Sequence, residues 1–131
     1  MKQSDVDALG GEVIDEQTTL APAASLFHSL ADPTRLVILR HLSLGEHRVV
    51  DLTRHLGLAQ STVSAHLACL RDCGLVTSRP QGRASMFSLS TAPELLDVLA
   101  AAERLLAVTG DAVDLCPTHG SAGTARRAHE R

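Results

Sequence analysis

Residues 49–70, VVDLTRHLGLAQSTVSAHLACL, decide the fold. Leu52 and Leu56 lie four apart on one face of a short helix over 49–56. Gly57 permits a tight turn, Leu58 plugs the corner, and a second helix runs from about Ser61 to Cys73. Val63, Leu67 and Leu70 give that second helix its buried stripe. With roughly 100° per residue, Ser61, Ser64, Ala65 and Ala68 then fall on the opposite side, away from the core. Two short helices joined this way predict a helix-turn-helix.

The flanks extend the pattern. Leu20, Ala24, Phe27 and Leu30 recur at helical spacing and predict a helix over 20–31. Asp32 can cap the next helix and Pro33 suits its first turn, so a second helix is expected over 33–44, closed by Gly45. After the reading helix, Gly74 stands where a helix end takes a left-handed residue. Leu75–Thr77 and Ser85–Leu89 are expected as strands around the turn residues of Arg79-Pro80-Gln81-Gly82-Arg83, a β-hairpin. A last helix is expected from Pro93 to about Val108, with Leu95, Leu99, Ala102 and Leu106 as its apolar face. The fold class is therefore mainly α: a winged helix-turn-helix with a β-hairpin wing and one extra helix at each end. Three regions follow: a mobile acidic arm over 1–18 that contains Gly10-Gly11, a winged domain over 19–110, and a tail over 111–131.

Composition agrees. The chain has 131 residues, two aromatics (Phe27 and Phe87) and many Leu and Ala, which favour helices and an aliphatic core. No apolar run approaches the ~18 residues of a membrane span. The acidic N-terminus lacks the basic and apolar regions of a secretory signal, so a cytoplasmic location is expected. Net charge is −3, but residues 33–91 carry seven Arg against three acids, while both flanks are acidic. A basic middle suggests a nucleic-acid partner.

That partner has candidate contacts. An outward face of small and hydroxyl residues lets a helix approach a major groove closely. Gln60 at the helix entry can read adenine, with Ser61, Thr62, Ser64 and Ala65 beside it. Arg79 and Arg83 on the wing can reach the flanking phosphates.

Three cysteines remain, too few and too odd in number for a disulfide framework. Cys69 and Cys73 lie one turn apart on one face of the reading helix, a spacing that serves either chelation or core packing. Cys116 sits in a polar tail, where packing is a poorer explanation. Three thiolates suit a soft cation such as Cd(II) or Pb(II), with Zn(II) possible, and His119 or Asp114 could add a fourth ligand. Of the other histidines, His66 lies one turn before the thiols. His28, His41, His47, His55 and His129 show no ligand spacing.

Leu30-Ala31-Asp32-Pro33-Thr34-Arg35-Leu36, then QSTVSAHLACLRDCGLV over 60–76 and the wing, resemble the ArsR/SmtB metalloregulatory repressors. The resemblance covers about residues 20–110. It implies a homodimer formed through the first and last helices, which binds palindromic operator DNA without metal and leaves it when metal binds. The arsenic-sensing pattern places cysteines where this chain has Arg48 and Val50. The zinc and nickel sensors use Asp and His pairs along the last helix, and no His occurs between 67 and 118 here. What remains is similar to the cadmium/lead-sensing branch. By that resemblance Cys69 and Cys73 come from one protomer and Cys116 from the other.

Two other functions fit the same residues. Thiols on a winged helix can sense oxidation through reversible disulfide formation. A thiol enzyme would need a nucleophile elbow, phosphate loop or orienting group, and the sequence offers none.

Overall fold

The computed structural model describes the backbone of residues 2–115 and the side chains from residue 15; Cys116, His119 and His129 lie outside that range. Five helices and three strands follow in the order α1 (Lys2–Leu30), α2 (Pro33–Leu42), β1 (His47–Arg48), α3 (Val49–Leu56), α4 (Gln60–Asp72), β2 (Val76–Gln81), β3 (Ala84–Leu89) and α5 (Ala92–Val108).

Helix boundaries follow local chemistry. The Asp32 carboxylate accepts from the backbone N–H groups of Thr34 at 2.7 Å and Arg35 at 3.2 Å, with Pro33 at the first helical position. Partial burial pushes the Asp32 pKa up, but the bonds from Arg35 and Thr34 and the nearby His66 and Arg35 charges outweigh it. The carboxyl is held below its ordinary range. Gly57 ends α3 at φ 68°, its N–H bonded to Thr53 O at 2.8 Å, and Gly74 follows α4 at φ 80°.

The wing is an antiparallel sheet in the order β1-β3-β2. β2 and β3 are joined by Gly82-Arg83, with Gln81 opposite Ala84. Gly82 has φ 62° in the first central position, where a two-residue turn demands glycine. Both strands are longer than the sequence suggests. Pro80 belongs to β2, not to the turn, because β2 is an edge strand and a missing N–H there breaks no ladder. β1 is unforeseen: two residues with no pattern of their own, held by pairing His47 with Phe87 and Arg48 with Met86.

The core is aliphatic. Ile38, Leu39 and Leu42 of α2, Leu52 of α3, Val63, Leu67 and Leu70 of α4, Phe87 of β3, and Leu95, Leu99 and Ala100 of α5 are all buried. The 4-3 stripe of α4 thus packs as its spacing predicts. Among the described residues no buried side-chain nitrogen or oxygen lacks a partner.

Four expectations change. The region 1–18 is not set apart from the first helix, since α1 begins at Lys2 and passes through both Gly10-Gly11 and Pro22. A glycine costs a helix only about 1 kcal/mol, and propagation adds a bond at every residue. Leu20 and Phe27 are 57% and 62% exposed; Leu30 turns inward as its spacing predicts, and Leu26 and Ser29 join it. Leu58 is exposed rather than a corner plug. On α5, Leu95 and Leu99 belong to the protomer's own core, so the apolar residues left uncovered are Val98, Leu105 and Val108.

Candidate DNA interface and thiol pocket

α4 carries two candidate sites at its two ends. At its start, Gln60, Ser61, Thr62, Ser64 and Ala65 are all exposed, opposite the fully buried Val63, Leu67 and Leu70. Ala59 occupies the N-cap position in extended conformation and offers no side-chain acceptor. The first N–H groups of α4 therefore face outward with the positive end of the helix dipole, an arrangement that suits phosphate. Leu52 and Val63 pack the two helices on one core, so the angle between α3 and α4 is set by burial.

Both predicted wing arginines are exposed, in different settings. Arg83 sits at the hairpin tip. Arg79 makes a two-pronged ion pair with Glu46, Nε to Oε2 at 3.0 Å and Nη2 to Oε1 at 2.8 Å. Through this bond Arg79 holds the Glu46 carboxyl below its ordinary range, and Glu46 raises the pKa of the guanidinium. The pair fastens the outer strand of the wing to the approach to β1. Arg79 must therefore exchange Glu46 for phosphate if it is to touch DNA.

At the other end of α4, Cys69 and Cys73 are half-buried free thiols against α1. Ser29 Oγ lies 2.6 Å from Cys73 Sγ and 3.7 Å from Cys69 Sγ, so both sulfurs converge on one buried hydroxyl. A groove of about 480 Å³ opens here, lined by Ala24, Ser25, His28, Ser29, Cys69, Asp72 and Cys73. Two sulfurs one turn apart, at a groove with a hydroxyl and a histidine on its wall, fit a soft cation. The sequence had given no reason to place Ser29 and His28 here, because they belong to a different helix.

Arg35 holds the wall in place. Its guanidinium donates to the carbonyls of Ser29 at 2.7 Å and His28 at 3.0 Å at the C-terminal end of α1, and lies 3.4 Å from His66 Nδ1 on α4. Leu115, the last described residue, donates its N–H to the Glu103 carboxylate on α5, while Asp114 O accepts from Arg40 Nη2 at 2.8 Å. The tail is thus tied to α2 and α5 immediately before Cys116. Asp114 does not line the thiol groove.

One cluster was missed entirely. His41, His47 and His55, each unremarkable in the sequence, bring one ring nitrogen apiece within 4.8 Å of one another.

A buried helix pair presenting an exposed hydroxyl face, followed by a hairpin wing, defines a DNA-binding transcriptional regulator. The family described as "Bacterial regulatory protein, arsR family" matches residues 32–78, from the α2 cap into the wing. The chain is 39% identical over 93 residues to the probable mercury resistance operon repressor of Streptomyces lividans, covering 71% of this chain and 74% of that one. It is 48% identical over 67 residues to the HTH-type transcriptional regulator CmtR of Mycobacterium tuberculosis, covering 51% of this chain and 57% of that one. Among solved structures, the homodimeric winged helix-turn-helix DNA-binding domain of Mb0332 from Mycobacterium bovis superposes with a TM-score of 0.60 at 29% identity. That match covers 70% of this chain and 88% of that one. The chain belongs to the arsR family of bacterial regulatory proteins, and is a transcriptional regulator, not an enzyme. Among the described residues, no helix is long and apolar enough to cross a membrane.

Proposed function

We propose that this regulator is a homodimeric, metal-responsive repressor whose operator complex is weakened when a soft divalent cation binds its thiols. Gln60, Ser61, Thr62, Ser64 and Ala65 would read and grip the major groove, with Arg79 and Arg83 on the backbone. Cys69 and Cys73 of one protomer and Cys116 of its partner would hold Cd(II) or Pb(II), with Zn(II) a weaker candidate for a thiolate-rich set. The ion would replace the weak contacts of two thiols to a hydroxyl with strong thiolate bonds. The observation that carries the reading is the convergence of both sulfurs on Ser29 at the foot of the DNA-reading helix.

Relatives support it: one is named as a probable mercury resistance operon repressor, and the regulator CmtR is 48% identical over 67 residues. The dimer is supported by the exposed Leu20 and Phe27 of α1 and Leu105 and Val108 of α5, and by the homodimeric Mb0332 domain. Leu and Phe left bare on the two outer helices are what a symmetric helical interface would cover.

The test is a cadmium titration of reduced, metal-free protein, followed by thiolate-to-metal absorption in the ultraviolet and by anisotropy of labelled operator DNA. Without Trp or Tyr the ultraviolet background is low. A break near one cadmium per chain, release of DNA, and loss of release in Cys73→Ser and Cys116→Ser establish the sensor. Cadmium release that survives Cys116→Ser refutes the three-thiol set. Release by peroxide alone refutes metal sensing in favour of oxidation.

A further inference from the structure

We propose that His41, His47 and His55 form a second metal site, built from nitrogen donors and independent of the thiols, which takes a borderline divalent cation such as Zn(II). His41 is the penultimate residue of α2, His47 opens β1, and His55 is the penultimate residue of α3. The pairing of β1 with β3 brings the strand against the ends of both helices. One nitrogen from each ring then lies within 4.8 Å of the other two. The rings of His41 and His55 stack at 4.9 Å between centroids, with planes 13° apart. His47 stands edge-on to both, at 6.1 and 5.8 Å. A tetrahedral zinc with bonds of 2.0–2.1 Å sets its ligands about 3.3 Å apart. Closing the remaining gap takes side-chain rotation rather than movement of an element.

Two further features fit a metal rather than a chance cluster. His47 Nδ1 lies 2.8 Å from Gly45 O. A carbonyl only accepts, so Nδ1 carries the proton and Nε2 keeps its lone pair for an ion, the outer bond typical of a ligating histidine. Burial, and the neighbouring His55, His47 and Arg40, hold His41 below the ordinary histidine range. The acids nearest in sequence are engaged elsewhere, Glu46 with Arg79 and Asp51 with Arg48 and Arg54. That leaves three imidazoles, a donor set that favours Zn(II), Ni(II) or Cu(II) over Ca(II) or Mg(II) and lacks the sulfur that draws Cd(II) and Pb(II). His55 is exposed and gives an ion its way in.

Bound there, an ion would cross-link α2, β1 and α3, tying the base of the wing to the first helix of the DNA-reading pair. The experiment uses the Cys69→Ser, Cys73→Ser, Cys116→Ser variant, so that thiol chemistry cannot contribute. Equilibrium dialysis should show one zinc per chain and a raised Tm. Cobalt should give visible ligand-field bands without the near-ultraviolet sulfur-to-cobalt absorption. Adding His47→Gln should weaken zinc binding at least tenfold with an unchanged far-ultraviolet circular dichroism spectrum. Should that variant fail to fold, nitrogen-detected histidine NMR of the thiol-free protein decides: zinc must move the His41, His47 and His55 resonances. No zinc retained, retention unaffected by His47→Gln, or shifts confined to other histidines would each overturn the site.

Discussion

Replacing Arg35 with Ala should loosen the thiol-bearing wall, and the structure sets the size of the effect. The bond from Arg35 Nε to Ser29 O is 2.7 Å long and partly buried. Removing a charged donor from such a carbonyl costs about 1.5–3 kcal/mol. The second bond, to His28 O at 3.0 Å, is exposed, so water replaces it and it adds roughly 0.5 kcal/mol. The approach to His66 Nδ1, at 3.4 Å, is too long to count. Together these give a loss of about 2–3.5 kcal/mol and a fall in Tm on the order of 10 °C. Arg35→Lys should recover about half, since an ammonium on a single stem cannot serve two carbonyls with fixed geometry. Urea unfolding at fixed protomer concentration measures the change without a contribution from mass action. A loss below about 0.5 kcal/mol, or full rescue by Lys, would show that Arg35 does not anchor α1.

Three further outcomes are expected. Leu67→Ala, at a fully buried position beneath the reading face, should destabilise by about 3–5 kcal/mol in the same urea assay; a loss under about 1 kcal/mol would mean that α4 is not held by its stripe. Asp32→Ala should remove about 1 kcal/mol of capping at neutral pH. Because the folded pKa of Asp32 lies below its ordinary 3.8, the charge-dependent part of that difference is present above this value and is lost as pH falls through the folded pKa; a gap that instead widens on acidification would contradict the cap geometry. Arg83→Ala should lower the slope of log affinity against log salt by about one unit and weaken all DNA sequences alike; a change confined to one operator position would place Arg83 on a base.

What the sequence shows well are features enforced by neighbours along the chain. Gly57, the 63-67-70 stripe, the Asp32-Pro33 start and the Gly74 stop each act within one or two helical turns, and each appears where local rules put it. Failures occur where distant segments decide. Pro80 and Gly82 are both turn residues by type, but the place of β2 at the sheet edge makes Pro80 harmless in a strand. β1 exists only because β3 offers it partners. Leu20 and Leu26 look equally core-like on paper; the position of α2 and α4 against α1 decides that only Leu26 is covered. The candidate sites divide the same way. Cys69 and Cys73 are legible because both lie on one helix, whereas Ser29 is not, being 40 residues from Cys69 in the chain. The histidines escaped notice for the same reason: spacings of six and eight residues match neither helical nor strand geometry until the fold closes.

The packing of α4 also restricts how metal at its foot could reach the DNA at its head. Ser61 and Cys73 are about 18 Å apart along a helix with a rise of ~1.5 Å per residue. Tilting that helix within its own protomer would withdraw Val63, Leu67 and Leu70, all fully buried, from the core. Opening even one such position costs several kcal/mol, more than the ~1–3 kcal/mol by which allosteric ligands usually couple. The lower-energy motion keeps each winged domain rigid and moves it against α1. There the contacts are the half-buried Leu26 and Leu30 together with polar ones, Ser29 to the two thiols and Arg35 to two carbonyls, and no α1 side chain but Ser29 is fully buried among the described residues. α1 also carries the exposed Leu20 and Phe27, so a shift there would change the separation of two reading heads without disturbing either core. Operators with half-sites one helical turn apart tolerate little change in that separation. Metal-induced release should therefore depend on half-site spacing: inserting two base pairs between half-sites should weaken the metal-free complex and shrink the cadmium effect. If cadmium weakens binding to a single half-site as strongly as to the full operator, the change lies within the domain and the rigid-body account fails.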